Sequence, residues 1–380
     1  MRILHLADLH LGWWPGFLGD RAQARQKERD GLLRRAVDYA LSPGSGIGLV
    51  LIAGDLFETH QPEAALVDNV LGELRRLTTA GIHLVTLPGN HDEITYHDSV
   101  YRVNGRDWPG VLVQNPHPEP VAELAVQGEA CHVYSLAYTG GLTRAAVPLA
   151  SFPKKEAPGW HLGVFHGSLD WNAGDRSLPL ASDGLARARY DYIALGHFHG
   201  HRQVQLSSGG LAVYPGSVEA KGFSDPGMGF FTVVTLQPGG VKVEKVPAGA
   251  RVVRIEILDT GLAGSAEGLL ASLEGLGGRD DVVRVVLTGV PDFDLDPETL
   301  ARRVGPRFYH LEIQDQTSSL SHGLLEMRSR EPTIRGMFTR RLRQQLLAAE
   351  TEAERKIIAR ALRLGLASLD HGQEFRKASE

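Results

Sequence analysis

Residues 2–12 read Arg-Ile-Leu-His-Leu-Ala-Asp-Leu-His-Leu-Gly, an apolar run that stops at two polar side chains. The run at residues 2–7 predicts a short buried strand, and Asp8 and His10 follow directly where it ends. Two further apolar runs, Ile47–Ala53 and Ile82–Leu87, also end in polar motifs, and amphipathic segments predict helices near 24–41 and from Pro62 onward. This alternation favours an α/β fold in which neighbouring strands are parallel.

The rest of the chain divides into segments of different character. From about residue 111 to 235, short strands separated by turn residues predict a second, more antiparallel sheet packed on the first, with helices outside. Beyond a boundary near 248, residues 249–328 are typical of a small α+β unit with β-α-β-α-β order. Residues 329–380 carry apolar side chains at helical spacing among arginines, which predicts two amphipathic helices. Their apolar faces either pack on the same chain or dock a partner, and the sequence favours neither.

Composition restricts the classes of function. The 380 residues carry 40 Lys and Arg against 45 Asp and Glu, a net charge of −5, so the bulk charge does not favour phosphate backbones. No apolar run approaches the length of about 18 residues that a membrane helix needs, so no membrane contact is expected. A single cysteine, Cys131, and polar residues where a signal peptide needs an apolar core indicate a reducing, cytoplasmic location.

Histidine is unusually frequent, with 16 His against 12 Phe, and several of these histidines stand at predicted strand ends. Because the carboxyl ends of parallel strands meet at one edge of a sheet, we expect eight polar side chains to converge there: Asp8, His10, Asp55, Asn90, His91, His166, His197 and His199. Oxygen and nitrogen donors without cysteine suit Mn²⁺, Fe²⁺ or Zn²⁺. The set exceeds what one ion requires, which favours two ions about 3.5–4 Å apart that share a carboxylate.

Five short motifs, in this order, resemble those of the calcineurin-like metallophosphoesterases: Asp8-Leu9-His10, Gly54-Asp55, Gly89-Asn90-His91-Asp92, His166-Gly167 and Gly196-His197-Phe198-His199. The opening at 2–12, together with 53–57, 192–197 and Tyr214-Pro215-Gly216-Ser217, further resembles the SbcD-type DNA repair exonucleases. That resemblance implies a four-layer α-β-β-α sandwich at 1–248 as nuclease domain and a capping domain at 249–328. It also implies helices at 329–380 that bind an SbcC-type coiled-coil ATPase, a homodimer, and association with the nucleoid.

Carried over residue by residue, the resemblance implies two groups of metal ligands. One ion, expected to be Mn²⁺, would be held by Asp8, His10, Asp55 and His199, and a second by Asp55, Asn90, His166 and His197. His91 would be the catalytic acid beside the leaving group. Asp92 either orients His91 or caps a helix. Some members have a histidine directly after Gly-Asp-Leu-Phe; here Glu58 stands at that position, and His60 is a candidate substitute.

The activity that the resemblance implies is a 3′→5′ DNA exonuclease with single-strand endonuclease activity, acting on single- and double-stranded DNA ends in double-strand break repair. Two alternatives stay open: an enzyme of the same fold that acts on phosphoproteins or small phosphodiesters, and a non-catalytic scaffold at DNA ends. An arginine-rich segment is interpreted as a solvated helix face, with a DNA-binding lip as the alternative; its members are Arg21, Arg25, Arg29, Arg34 and Arg35.

Overall fold

The computed structural model describes residues 1–140, 152–154, 156–170, 177–225, 227–291, 293, 295–317 and 322–377. Contacts divide the chain into two compact units, Met1–Val252 and Val253–Glu380. None of the described helices is long and apolar enough to cross a lipid bilayer.

The first unit contains thirteen strands and five α-helices among its described residues. The strands, numbered along the chain, are β1 (Arg2–Leu6), β2 (Leu49–Ala53), β3 (His83–Leu87), β4 (Val111–Leu112), β5 (Glu119–Val126), β6 (Glu129–Ser135), β7 (Trp160–Leu169), β8 (Leu178–Leu180), β9 (Tyr192–Gly196), β10 (Arg202–Gln205), β11 (Leu211–Tyr214), β12 (Phe230–Gln237) and β13 (Gly240–Pro247). The helices are α1 (Ala22–Asp30), α2 (Leu32–Leu41), α3 (Ala64–Thr79), α4 (Val100–Val103) and α5 (Ser182–Ala188).

The first sheet has the strand order β13-β12-β1-β2-β3-β4. Strands β1 to β4 are parallel to one another, as the sequence predicts, while β12 pairs antiparallel with both β1 and β13. Every residue of β2 is buried, because its Leu-Val-Leu-Ile-Ala sequence has an apolar side chain for each face of a covered sheet. All three predicted strand ends of this sheet therefore lie at one edge.

The second sheet has the order β10-β11-β9-β7-β6-β5, with β8 beside β7. Its central strands β6, β7, β9 and β11 are parallel, and only the edge strands β5 and β10 pair antiparallel. The prediction of a more antiparallel sheet is therefore wrong for its centre. Residues 136–159 separate β6 from β7, and residues 170–191 separate β7 from β9. Parallel neighbours need connections of a dozen or more residues, whereas the tight hairpin of an antiparallel pair needs only a few.

Four layers make up the first unit. Helices α2 and α3 bury their apolar sides in the same cluster as the first sheet, and β2 of that sheet lies against β7 and β9 of the second. On the outer face of the second sheet, Phe165 and Leu195 pack with Leu185 and Ala188 of α5. The predicted α/β fold with α-β-β-α layers is confirmed.

The second unit begins with three strands joined by helices, with one short helix more than the predicted β-α-β-α-β order, and ends in helices. Its elements are β14 (Val253–Asp259), α6 (Thr260–Ala263), α7 (Ala266–Gly275), β15 (Val282–Thr288), α8 (Pro297–Val304), β16 (His310–Asp315), α9 (His322–Ser329), α10 (Ile334–Ala348) and α11 (Glu352–Lys377). The three strands form one parallel sheet. Ser265 and Asp296 begin α7 and α8, because each side chain accepts a backbone N–H of the first helical turn.

Helices α10 and α11 pack on each other. Leu362 and Leu366 are buried, and Gly365 lies so close to the Phe338 ring that there is no space for a Cβ atom. Part of their apolar surface is nevertheless exposed, including Met337 and Ile357. Packing within the chain thus covers one side of this helix pair and leaves another uncovered by the described residues.

Candidate metal centre

The predicted donors do converge, at the carboxyl edge of the two sheets. Asp8 and His10 follow β1, Asp55 follows β2, Asn90 follows β3, and His197 and His199 follow β9. His166 differs from its prediction, because β7 continues to Leu169 and His166 lies inside the strand, paired with Gly196 of β9. His166 still belongs to the cluster, because its partner Gly196 is the last residue of the neighbouring strand β9.

The backbone of this edge is strained at the donors themselves. Asp8, His10, Asp55 and His197 all have positive φ, at 54°, 48°, 50° and 105°. Such conformations cost about 1–3 kcal/mol each in residues other than glycine and persist where the surrounding structure holds them. Two glycines make room for the donors: a Cβ at Gly54 would collide with the His166 ring, and one at Gly89 with the Asp55 carboxylate. Gly54 and Gly89 are thus required because the His166 ring and the Asp55 carboxylate lie too close to their Cα atoms for any side chain.

One half of the cluster contains Asp8, His10 and His199, whose potential ligand atoms all lie within 4.8 Å of one another. The two ring atoms His10 Nε2 and His199 Nε2 are 3.0 Å apart. Both oxygens of Asp8 also accept the backbone N–H of His197, at 3.0 and 3.1 Å. That bond ties the loop after β9 to the loop after β1.

The other half contains Asp55, His166, His197 and Asn90. Asp55 Oδ2 lies 3.4 Å from His166 Nε2 and 3.8 Å from His10 Nε2, so this carboxylate faces both halves. Asn90 Oδ1 lies 2.9 Å from both His166 Nε2 and His197 Nδ1. All seven predicted donors are thus brought together, with Asp55 between the halves, and their mixed oxygen and nitrogen chemistry fits two divalent transition-metal ions.

Burial and mutual charge shift the acid–base properties of the cluster. Burial alone would raise the pKa of Asp55, but the facing His166, His10 and His91 rings hold that pKa far below its usual range. Burial alone would lower the pKa of His166, yet Asp55 raises it above its usual value. Burial lowers the pKa of His197 to about 3, so its ring is neutral near pH 7. Asp55 and His197 are thus in the ionised and neutral forms in which carboxylates and imidazoles bind cations.

His91 lies at the open side of the cluster, with 38% of its side chain exposed. Its backbone N–H donates to Asp55 Oδ1 at 2.9 Å, and its ring meets the His10 ring edge-on with centroids 4.7 Å apart. His91 Nδ1 lies 3.2 Å from the Glu58 carbonyl oxygen, which can only accept, so the proton is on Nδ1 and Nε2 is directed elsewhere. A ring nitrogen of His91 also lies within 4.8 Å of potential ligand atoms of His10 and Asp55.

Asp92 has neither of its two predicted roles. Its buried carboxylate accepts the backbone N–H groups of Phe57 and Gly89 and the hydroxyl of Tyr101, at 2.7–3.0 Å. Burial raises the pKa of Asp92 to about 6. The side chain therefore joins the loops after β2 and β3, because its donors are two loop backbone N–H groups and the Tyr101 hydroxyl, and neither the His91 ring nor the first turn of a helix is among them.

Glu58 contacts the cluster, whereas His60 faces away from it. The His60 ring stacks on Tyr96 at a centroid distance of 4.1 Å and lies 3.9 Å from Asp98. Glu58 Oε2 instead lies 2.9 Å from His10 Nδ1, and both Glu58 oxygens accept from Lys221 Nζ. Burial would raise the pKa of Glu58, but His10 and Lys221 lower it to about 2. His60 therefore does not take the place of the missing histidine.

Asp225 is a further residue at the cluster that the sequence interpretation missed. Its Oδ2 accepts from His199 Nδ1 at 2.5 Å. Asp225 and Lys221 belong to the segment 217–225. Because Gly222 and Ser224 are common turn residues, the sequence around Asp225 indicates only a turn. The one sequence signal that could have identified Lys221 and Asp225 is that they follow the Tyr214-Pro215-Gly216-Ser217 motif closely.

The arginine-rich segment is neither a solvated face nor a DNA-binding lip at its centre, because Arg25 and Arg29 are only 3% and 1% exposed. Arg29 donates to the carbonyl oxygens of Leu9, Glu219 and Ala220, at 2.7–2.9 Å. Arg25 and Arg35 form ion pairs with the buried Glu219 carboxylate. These arginines therefore hold segment 217–225 against α1 and α2.

Replacing Arg29 with methionine is expected to lower the free energy of unfolding by about 3–5 kcal/mol, because three buried carbonyls lose their donor and Glu219 loses a neighbouring cation. Chemical denaturation followed by circular dichroism measures this change. Arg34→Ala is the control, since Arg34 is 72% exposed and should change the free energy by less than about 0.5 kcal/mol. Equal stability of the two variants would contradict the structural role of Arg29.

Several known proteins resemble this chain in sequence. A sequence profile of the calcineurin-like phosphoesterase family matches residues 1–201. The uncharacterized metallophosphoesterase YhaO of Bacillus subtilis is 26% identical over 256 residues, which cover 64% of this chain and 59% of the relative. The DNA double-strand break repair protein Mre11 of Methanopyrus kandleri is 25% identical over 227 residues, covering 58% and 49%.

A shorter match is to the SbcCD nuclease subunit of Escherichia coli, which is 34% identical over 95 residues, or 25% of this chain and 22% of that protein. The chain thus spans less than two thirds of the length of each of these relatives. The profile match at 1–201 covers more than half of the chain and contains all seven clustered donors as well as His91. This chain therefore belongs to the calcineurin-like phosphoesterase family.

Proposed function

We propose that this chain is a metal-dependent DNA nuclease, a 3′→5′ exonuclease with single-strand endonuclease activity that acts at DNA ends in double-strand break repair. Family membership supports metal-dependent hydrolysis of a phosphoester. The observation that carries the proposal is the convergence of seven side chains that could hold metal ions, with His91 at their open side. The names of two relatives, a DNA double-strand break repair protein and a nuclease subunit, support DNA as the substrate.

We assign Asp8, His10, Asp55 and His199 to one ion and Asp55, Asn90, His166 and His197 to the other, with Mn²⁺ as the metal. When bound, two divalent ions supply the positive charge that neutralises a phosphodiester and acidifies water. Asp55 would be the ligand shared by both ions, because its carboxylate faces both halves of the cluster.

His91 is the general acid in this proposal. Its backbone is held by Asp55 and its Nδ1–H donates to the Glu58 carbonyl, so the exposed ring keeps one orientation. In the protonated ring Nε2 carries the second proton, and Nε2 delivers this proton to the departing 3′ oxygen of the cleaved strand. After this transfer the His91 ring is neutral, and its Nδ1–H still donates to the Glu58 carbonyl oxygen.

The wider assembly is part of the same proposal. The pair of helices at 329–380 exposes apolar side chains, including Ile334, Met337, Ile357 and Leu364, and we propose that an SbcC-type coiled-coil ATPase covers them. Residues 249–328 serve as the capping domain of the nuclease domain at 1–248. The active form is a homodimer in the cytoplasm, associated with the nucleoid.

The proposal is tested with the purified protein and Mn²⁺ on end-labelled single- and double-stranded DNA, beside bis-p-nitrophenyl phosphate and a phosphopeptide. Shortening of the labelled strand from its 3′ end, abolished by chelation, is the expected result. Cleavage of the phosphopeptide but not of DNA would assign the chain to the phosphatases of this fold. Two bound metal ions without any hydrolysis would indicate a non-catalytic scaffold.

A further inference from the structure

We infer that Asp225 and Glu58 are positioning residues that hold the imidazoles of His10 and His199, and that they strengthen only one of the two metal sites. The inference rests on the proposed two-ion centre and adds residues that lie outside the five motifs. Asp225 contacts His199, and Glu58 contacts His10, on the side of each ring that faces away from the cluster.

The contact of Asp225 determines which nitrogen of His199 is available. An ionised carboxylate only accepts hydrogen bonds, so the proton of His199 is on Nδ1, 2.5 Å from Asp225 Oδ2. His199 Nε2 is then left with a lone pair and points at His10 Nε2, 3.0 Å away. A carboxylate behind a ligating imidazole fixes the ring orientation and makes the ligand nitrogen more basic.

Glu58 acts on His10 mainly through charge. Its Oε2 lies 2.9 Å from His10 Nδ1 but off the axis of the N–H bond, so the contact is an ion-pair approach and not a well-directed hydrogen bond. Lys221 holds the carboxylate there, because its Nζ lies 2.7 and 3.0 Å from the two Glu58 oxygens. The negative charge of Glu58 beside His10 Nδ1 favours the tautomer with its proton on Nδ1. The lone pair of His10 Nε2 then faces the cluster and is free to bind a cation.

The other pair of histidines has no comparable support among the described residues. His166 Nδ1 lies 2.9 Å from the neutral carbonyl oxygen of Ala53, and His197 directs its Nδ1 into the cluster. Among the described residues, a carboxylate therefore contacts the ring nitrogen that faces away from the cluster only in His10 and His199. We expect an ion bound there to be held more tightly than its neighbour.

Both positioning residues depend on segment 217–225. Lys221 and Asp225 belong to it, and Arg29 donates to the carbonyl oxygens of Glu219 and Ala220 within it. The Ser217 hydroxyl also donates to the Glu219 carbonyl oxygen at 2.8 Å. The segment thus carries its charged side chains to the cluster as a firmly held loop.

Isothermal titration of the metal-free full chain with Mn²⁺ tests the inference without any substrate. The wild type is expected to bind two ions, and Asp225→Ala to weaken one binding event about 10- to 100-fold while the other changes little. Asp225→Asn and Glu58→Gln keep the size of the side chain and an accepting oxygen, so they should give smaller losses at the same event. Asp98→Asn is the matched control, since Asp98 lies near His60 outside the cluster and should leave both events unchanged.

Thermal unfolding of the metal-free variants separates positioning from a general structural role. Equal weakening of both events together with a lower Tm, or no weakening in Asp225→Ala, would overturn the inference. If the wild type binds two ions and the variants behave as expected but no phosphodiester is cleaved, the proposed nuclease function fails and the inference stands. Loss of DNA cleavage alone, with unchanged Mn²⁺ titrations, would also contradict it.

Discussion

Replacing Asp55 with asparagine is expected to lower kcat on DNA at least about 10³-fold, which corresponds to about 4 kcal/mol of lost transition-state stabilisation. The amide removes the negative charge that faces both halves of the cluster, 3.4 Å from His166 and 3.8 Å from His10. We expect the variant to bind less than two equivalents of Mn²⁺, measured by elemental analysis after dialysis alongside the kinetics.

Asp191→Asn provides a control for Asp55→Asn. Asp191 precedes β9, at the end opposite the cluster, and its carboxylate accepts the backbone N–H of His161. This variant should keep both ions and most of the activity. Full metal content and wild-type kcat in Asp55→Asn would refute the assignment of Asp55 as the shared ligand.

Replacing His91 with glutamine is expected to reduce kcat on DNA by about 10²–10⁴-fold while both ions remain bound. The reduction should be much smaller on bis-p-nitrophenyl phosphate, because nitrophenolate is a good leaving group that needs no proton, whereas a sugar 3′ oxygen does. Comparing the two substrates for the wild type and His91→Gln therefore isolates proton donation from every other role of the ring.

Two outcomes would contradict the role of His91 as an acid. Loss of one Mn²⁺ equivalent would make His91 a ligand, a role that its closeness to His10 and Asp55 permits. Equal losses on both substrates would mean that the ring positions the phosphodiester and does not protonate the leaving oxygen. His60→Gln is the matched control, since the His60 ring stacks on Tyr96 and should affect neither substrate.

Much of the site can be predicted from the sequence because it is encoded locally. A run such as Leu49–Ala53 forms a buried strand, and parallel neighbours bring the residues after such strands to one edge. The glycines beside the donors, Gly54 and Gly89, leave space for His166 and Asp55. Strand, turn and donor therefore occur together within a few residues, and that short-range pattern predicts both the layered fold and the seven converging donors.

The amino-acid sequence by itself thus determined the α/β layers, the edge of the sheet and the identity of the donors. The tertiary structure alone decided the direction of the second sheet's strands, the contacts of Asp92 and the burial of Arg29. Arg29 is buried because carbonyl oxygens 190 and 191 residues away accept hydrogen bonds from its guanidinium group. An amphipathic pattern identifies the polar side of a helix, but a polar side chain becomes buried only where a distant partner compensates its lost hydration, and no local spacing encodes that partner.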